Sequence, residues 1–164
     1  MILRSIALAG GLAGAATTSQ FPEFSQQYLQ RLGGAVDALG EVVADFDASA
    51  AASDLSRDEA LAQMQGTSFL ERRGADMTRS INRYTQLSRD LETLEGQGPF
   101  MRAYHATSFT DGEIAQAAWA AYKPAVPMTF AGLSFAAVGF LLGGMAVKLL
   151  LGLLRMPFRR RQKA

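Results

Sequence analysis

Cysteine is missing from the chain, which excludes disulfides, thiolate catalysis and Cys-ligated zinc or iron–sulfur sites. A single histidine, His105, excludes a His-rich metal site within one chain. No stretch alternates apolar and polar residues for long enough to suggest a sheet. No Gly-rich phosphate loop is present either, because the clustered glycines sit inside apolar runs. Charge is scarce as well, at 19% of 164 residues against 49% apolar, and the mean hydropathy is slightly positive. That balance is too apolar for a disordered segment, and for an ordinary soluble domain of this single-domain length.

Acids are absent from both ends. All fifteen lie between Glu23 and Glu113, in a middle segment where nine cations leave a net charge of −6. The remaining cations, Arg4, Lys148, Arg155, Arg159, Arg160, Arg161 and Lys163, stand in the ends. This partition marks two apolar ends flanked by positive charge around an acidic, water-facing middle.

Residues 128–147 form an uncharged run of 20, about 30 Å of helix, which matches a hydrocarbon core. Lys148 interrupts the run, but its side chain can snorkel, so the span reaches Leu154 with some tilt. Pro124 and Pro127 stop the preceding helix, and Thr129 can cap the new one. The N-terminal run, residues 5–21, is uncharged but shorter, and polar from Thr17 on. Two readings stand for it. One is a cleavable signal peptide, with Arg4 ahead of an apolar stretch to Leu12 and the small residues Ala13-Gly14-Ala15 for cleavage. The other is a retained, thin transmembrane helix. Gly10 with Gly14, and Gly139 with Gly143, give each run a GxxxG pattern, which in lipid lets helix backbones approach closely. Two such patterns favour the retained span, packed on its counterpart or on a partner.

The tail carries Arg155, Arg159, Arg160, Arg161 and Lys163 and no acid, so the positive-inside rule places it in the cytoplasm. Arg4 places the other end on the same side, and the middle then lies outside the cytoplasm. The tail is expected against anionic lipid headgroups, which accounts for its charge without any nucleic acid. Trp119, Tyr122 and Lys123 read as an interfacial anchor belt.

The middle reads as helix almost throughout. Phe24, Tyr28, Leu32, Val36, Leu39, Val43 and Phe46 recur at steps of three and four, a helical stripe that the following alanines can extend to Ala52. Ser56 and Glu59 form a capping box for a short helix ending near Gly66. Ser68 and Glu71 form a second box, for a helix with its stripe at Leu70, Met77, Ile81, Tyr84, Leu87, Leu91 and Leu94, stopped by Gly96, Gly98 and Pro99. Thr110 and Glu113 form a third, for a helix through Trp119 to Tyr122. The first long helix is acidic and the second is rich in arginine, so antiparallel folding is expected to bury the two stripes and pair charges along their flanks.

Catalytic signals are weak. His105 has no patterned nucleophile or acid nearby, and a structural or exposed role is the better reading. Asp37, Glu41 and Asp45 share one helix face, where divalent binding is conceivable but a solvated or arginine-paired face is favoured. The spans hold no acid and no histidine, which speaks against a proton relay or an ion transporter. No cofactor and no metal are expected.

Residues 19–34 (SQFPEFSQQYLQRLGG) resemble the opening of an uncharacterised proteobacterial membrane-protein family, catalogued as domain of unknown function number twenty-nine thirty-seven. Residues 122–133 (YKPAVPMTFAGL) form a second matching block. The resemblance implies a small inner-membrane protein with both apolar ends retained and no assigned activity. It brings no catalytic residues.

The expected protein is an all-α membrane protein. A transmembrane helix at 1–21 (or an uncleaved signal anchor) precedes a periplasmic helical domain at 22–125, a second transmembrane helix at 126–155 and a basic cytoplasmic tail at 156–164. The expected role is an accessory or scaffold subunit of the bacterial inner membrane, whose helical hairpin contacts another membrane complex. Alternatives are a membrane-tethered periplasmic enzyme or ligand-binding module working through Arg31 and His105, and a homo-oligomeric envelope scaffold. An interaction site is expected at Phe21, Phe24, Tyr28, Arg31, Gly33 and Gly34: aromatic rings leaving the membrane, a cation in an acidic field, and two glycines inside a helix. Another backbone, either the chain's own 119–127 segment or a partner's, should approach those glycines.

Overall fold

The computed structural model describes residues 2–122 and 128–160, with side chains described for 4–122 and 128–154. Among the described residues there are seven α-helices, a 3-10 turn at Ala106–Ser108 and no strand. The helices are α1 (Ile2–Thr18), α2 (Phe21–Ala51), α3 (Arg57–Ala62), α4 (Ser68–Leu94), α5 (Pro99–Tyr104), α6 (Gly112–Ala121) and α7 (Phe130–Arg160). They fall into two compact units, one of Met1–Ser25 with Tyr122–Ala164 and one of Gln26–Ala121.

The first unit is built on α1 and α7. Thr129 caps α7, its Oγ1 accepting from the Gly132 amide at 3.1 Å. Phe130–Leu154 is the one helix among the described residues long and apolar enough to cross a membrane, and only 6% of its 18-residue apolar window is buried. A core helix of a soluble domain would be mostly covered. The helix α1 has 17 residues, about 26 Å, and falls short of a full hydrocarbon core. Its end is polar: Thr17 and Thr18 donate back to the carbonyls of Ala13 and Gly14, and Ser19 to that of Ala16. Hydroxyls of this kind compete with the backbone for its carbonyls as the helix ends. The two helices run antiparallel, with Ala7 beside Gly144, Gly14 beside Gly139, and Thr18 beside Phe135.

The second unit takes its core from one stripe of each long helix. Tyr28, Leu32, Val43 and Ala50 are buried on α2, Leu87 and Leu94 on α4, and Ile114 and Ala118 on α6. Val36, Leu39 and Phe46 are half-buried beside them, as the 3.6-residue period requires. Gly40 faces the Tyr84 ring, which a Cβ would meet at 3.2 Å. The α4 stripe is buried at Leu87 and Leu94, half-buried at Met77, Ile81, Tyr84 and Leu91, and exposed at Leu70 and its neighbour Phe69.

Local signals set the boundaries, with shifts. Ser56 and Glu59 form the capping box of α3. At α4 the cap is Thr67, whose hydroxyl accepts from the Leu70 amide at 3.2 Å, one residue before the expected Ser68. At α6 it is Asp111, whose Oδ1 accepts from the amides of Glu113 and Ile114, rather than Thr110. Pro99 opens a helix as well as following one, because its fixed φ suits a first turn. Gly96, at φ +71°, supplies the left-handed residue that turns the chain after α4.

Charge pairing between α2 and α4 is not found among the described residues. Arg73 and Arg79 pair with Asp76 on their own helix, and Arg83 reaches Asp111 and Glu113 at 2.9 and 2.8 Å. Asp47 of α2 pairs with Arg57 of α3 at 2.5 Å, while Asp37, Glu41 and Asp45 stay exposed. Half-exposed pairs of this kind contribute about 0–1 kcal/mol, too little to set helix register against an apolar core.

Candidate functional site

A seam of glycines brings the backbones of α1 and α7 into close approach. A methyl group on Gly14 would fall on the Gly139 carbonyl, and one on Gly139 would fall on the Gly14 carbonyl and the Thr18 hydroxyl. A methyl on Gly143 would strike the Gly10 carbonyl, and one on Gly10 the Val147 side chain. Gly11 adds a fifth position, where a Cβ would meet the Phe140 ring at 2.8 Å. The structure therefore brings Gly10, Gly14, Gly139 and Gly143 together within one chain. Small residues here let dispersion contacts and weak Cα–H···O contacts form between backbones.

Thr18 ends the seam and was not among the expected residues. Its Oγ1 is 2.6 Å from the Phe135 carbonyl on α7 and 2.9 Å from the Gly14 carbonyl, so one hydroxyl proton is shared between two acceptors. The signal was present in the sequence, because Gly10, Gly14 and Thr18 follow at i, i+4 and i+8. The Phe21 and Phe135 rings continue the contact at 5.3 Å, and the Tyr122 hydroxyl donates to Gln20.

The expected interaction block does not share one environment. Phe21 packs on Phe135, and Phe24 is half-buried. Tyr28 is fully buried, with its ring 4.6 Å from that of Phe109, so it is a core residue and offers no surface to a partner. Arg31 is exposed and has no carboxylate within ion-pair distance among the described residues. Gly33 and Gly34 face open space, with no atom of the described residues within 4 Å of an added Cβ. No described residue makes the close internal approach expected there, and residues 123–127 of the expected 119–127 segment lie outside the described residues.

A polar network surrounds Tyr28 instead. The Asp111 amide donates to the Tyr28 hydroxyl at 3.3 Å, and the Thr110 hydroxyl donates to the buried Asp90 carboxylate at 2.5 Å. Gln86 also donates to Asp90, and Arg83 to Asp111. Burial pushes the Tyr28 phenol above its ordinary value; the Asp111 amide opposes this, and the charges of Asp90 and Asp111 add to it. Arg102 is buried nearby in sequence, its Nη1 donating to Gln26 Oε1 at 2.8 Å. Tyr28, Asp90, Thr110 and Asp111 are thus held by one another, whereas Arg102 Nε and Ser88 Oγ are buried without a hydrogen-bond partner among the described residues.

His105 is half-buried with its ring edge-on to Tyr104 at 5.1 Å, and it bonds no carboxylate or hydroxyl side chain among the described residues. No group of three or more His, Cys, Asp or Glu is poised around a metal position among the described residues. Trp119 is 65% exposed. The side chains of Arg155, Arg159 and Arg160, and Lys123, Pro124, Pro127, Arg161 and Lys163 entirely, lie outside the described residues.

No curated protein and no solved structure matches the chain. One family model does, over residues 2–160, nearly the whole length. With the apolar ends and the helical middle both inside that match, the chain belongs to the family described as protein of unknown function (DUF2937).

Proposed function

We propose that the protein is a two-span inner-membrane protein, both termini cytoplasmic, whose middle segment is a periplasmic helical hairpin serving as an accessory or scaffold subunit of another membrane complex. The glycine seam carries the reading. It holds α1 against α7 by backbone contact, the mode of packing used where lipid removes the hydrophobic drive between helices. Outward from the seam, Leu8, Leu12, Leu133, Leu141 and Met145 are exposed, a surface that suits hydrocarbon better than water. A 17-residue α1 is short but tolerable, since a bilayer thins or flanking side chains snorkel at modest cost. The hairpin is supported by contacts that run in opposite order along α2 and α4: Gly40 meets Tyr84, and Tyr28 joins the network of Asp90.

The same seam weighs against the homo-oligomeric scaffold, because both GxxxG patterns are already used within one chain. The enzyme reading has no catalytic constellation behind it among the described residues. For a partner, the free ground is the α2 face with Arg31, Gly33 and Gly34, where a second backbone has room to approach. The test is a mild-detergent pulldown with mass spectrometry. A stoichiometric membrane partner that is lost on Gly33→Leu with Gly34→Leu, at a melting temperature that does not fall, supports the reading. Retention of the partner by that variant removes this face from it, and self-association alone returns the homo-oligomer.

A further inference from the structure

A groove of about 610 Å³ opens on the first unit between α1 and α7. Leu8 of α1 and Phe140, Leu141 and Met145 of α7 give it an apolar wall, and Arg4 and Lys148 stand at the same groove. The antiparallel register explains the meeting. Ala7 lies against Gly144, so about one turn further along, Arg4 comes level with Lys148. Neither cation has a carboxylate within ion-pair distance among the described residues. No acid stands near either of them in sequence, since all fifteen lie between Glu23 and Glu113. Arg4 also sits in the first turn of α1, where the helix dipole is itself positive. Two like charges are thus gathered beside an apolar wall with no counter-charge from the described residues.

We infer that this groove holds one anionic phospholipid, its phosphate between Arg4 and Lys148 and an acyl chain along Leu8, Phe140, Leu141 and Met145. The inference rests on the reading of α1 and α7 as membrane spans. A guanidinium offers paired N–H donors to phosphate oxygens and the ammonium adds a compact charge, so the two cations divide the recognition. The apolar wall selects a lipid over free phosphate, because a soluble anion leaves that wall uncovered. The site differs from diffuse attraction to the basic tail, since its cations come from two helices in fixed register.

Native mass spectrometry of the full chain, released from nanodiscs of phosphatidylcholine with a minority of phosphatidylglycerol, tests this. The wild type should retain one phosphatidylglycerol. Arg4→Gln with Lys148→Gln should weaken that retention roughly tenfold or more, while Lys148→Arg keeps it. Tail variants at Arg159, Arg160 and Arg161 should also keep it, and inorganic phosphate should not displace it. An Ala7→Cys with Gly144→Cys cross-link, formed equally in the charge variants, shows that the helices still pack. Unchanged retention in the double variant, loss only in the tail variants, displacement by inorganic phosphate, or an acidic protein segment cross-linked to the groove would each overturn the site. Alkaline carbonate separates the two readings: a chain it extracts from membranes sinks the spans and the site together. A chain that stays in the membrane without preferring phosphatidylglycerol sinks the site alone.

Discussion

At Gly139 a methyl group has nowhere to go, because the Gly14 carbonyl and the Thr18 hydroxyl already occupy its place. Gly139→Ala is therefore expected to destabilise the α1–α7 pair by about 1–3 kcal/mol, the usual range for overpacking. A lower melting temperature and a weaker 7–144 cross-link would register it. Gly33 and Gly34 are the opposite case, helical and facing open space. Gly33→Ala and Gly34→Ala should each stabilise the isolated protein by about 0.5–1 kcal/mol, through a less disordered unfolded chain. A melting temperature that falls instead would mean another segment does pack there.

Tyr28 is a residue-scale case of a different kind. Tyr28→Phe removes the acceptor of the Asp111 amide and should cost about 0.5–1.5 kcal/mol in urea unfolding. The phenol's folded value is raised, so its contribution is complete below the ordinary value of 10.0 and is lost as pH climbs through the raised one. Stability of the wild type should fall on that alkaline limb, and the phenylalanine variant should lack that part of the fall. Identical alkaline limbs would remove Tyr28 from the titration.

Among the elements, α6 has its first turn closed by one side chain. Asp111 caps its first turn with one carboxylate oxygen and takes Arg83 on the other. Asp111→Ala should cost about 1–2 kcal/mol and speed amide exchange in α6, whereas Asp111→Asn, which keeps the cap acceptor, should recover most of the loss. The small helix α3 is held by carboxylates too. Asp47 is lowered by its hydrogen bond to Arg57, and Glu59 by its bonds to the Ser56 hydroxyl and amide. Lowered values mean stabilisation that is full above the ordinary 3.8 and 4.5 and is lost as pH falls through the lowered ones. Protection factors across Arg57–Ala62 should therefore fall selectively in acid, and uniform protection down to the acid unfolding of the whole chain would contradict it.

For the whole molecule the tests are topological. A reporter active only in the cytoplasm should work after Ala164 and fail when inserted at Gly66, an exposed left-handed turn that tolerates insertion. A cytoplasmic signal at Gly66 would overturn the orientation. Intact-mass measurement should find residues 2–16 still attached, since cleavage near Ala15 would remove Gly10 and Gly14 and leave Gly139 and Gly143 without their counterpart. A mature chain starting near Ala16 would leave a single span and an open groove on α7.

The sequence by itself determined the all-helical class, the long apolar helix near the C-terminus and the family, the last from two short blocks at residues 19–34 and 122–133. These are local properties: hydrophobic period and run length act within one helix and need no knowledge of neighbours. It also located the starts of α3, α4, α6 and α7 to within a residue, but not that of α5, because Pro99 was read only as a stop. At 67–68 and 110–111 two adjacent side chains can each cap, and the folded chain uses Thr67 rather than Ser68 and Asp111 rather than Thr110. Tertiary structure alone decided which glycines are occupied. Gly14 and Gly34 look alike in a sequence, both small residues inside helices, yet one meets a carbonyl of α7 and the other meets nothing among the described residues. It decided, too, that Tyr28 is core and not surface, and that Arg83 turns to Asp111 rather than to α2. Burial and pairing depend on residues distant in the chain, and those distances exist only once the helices have packed.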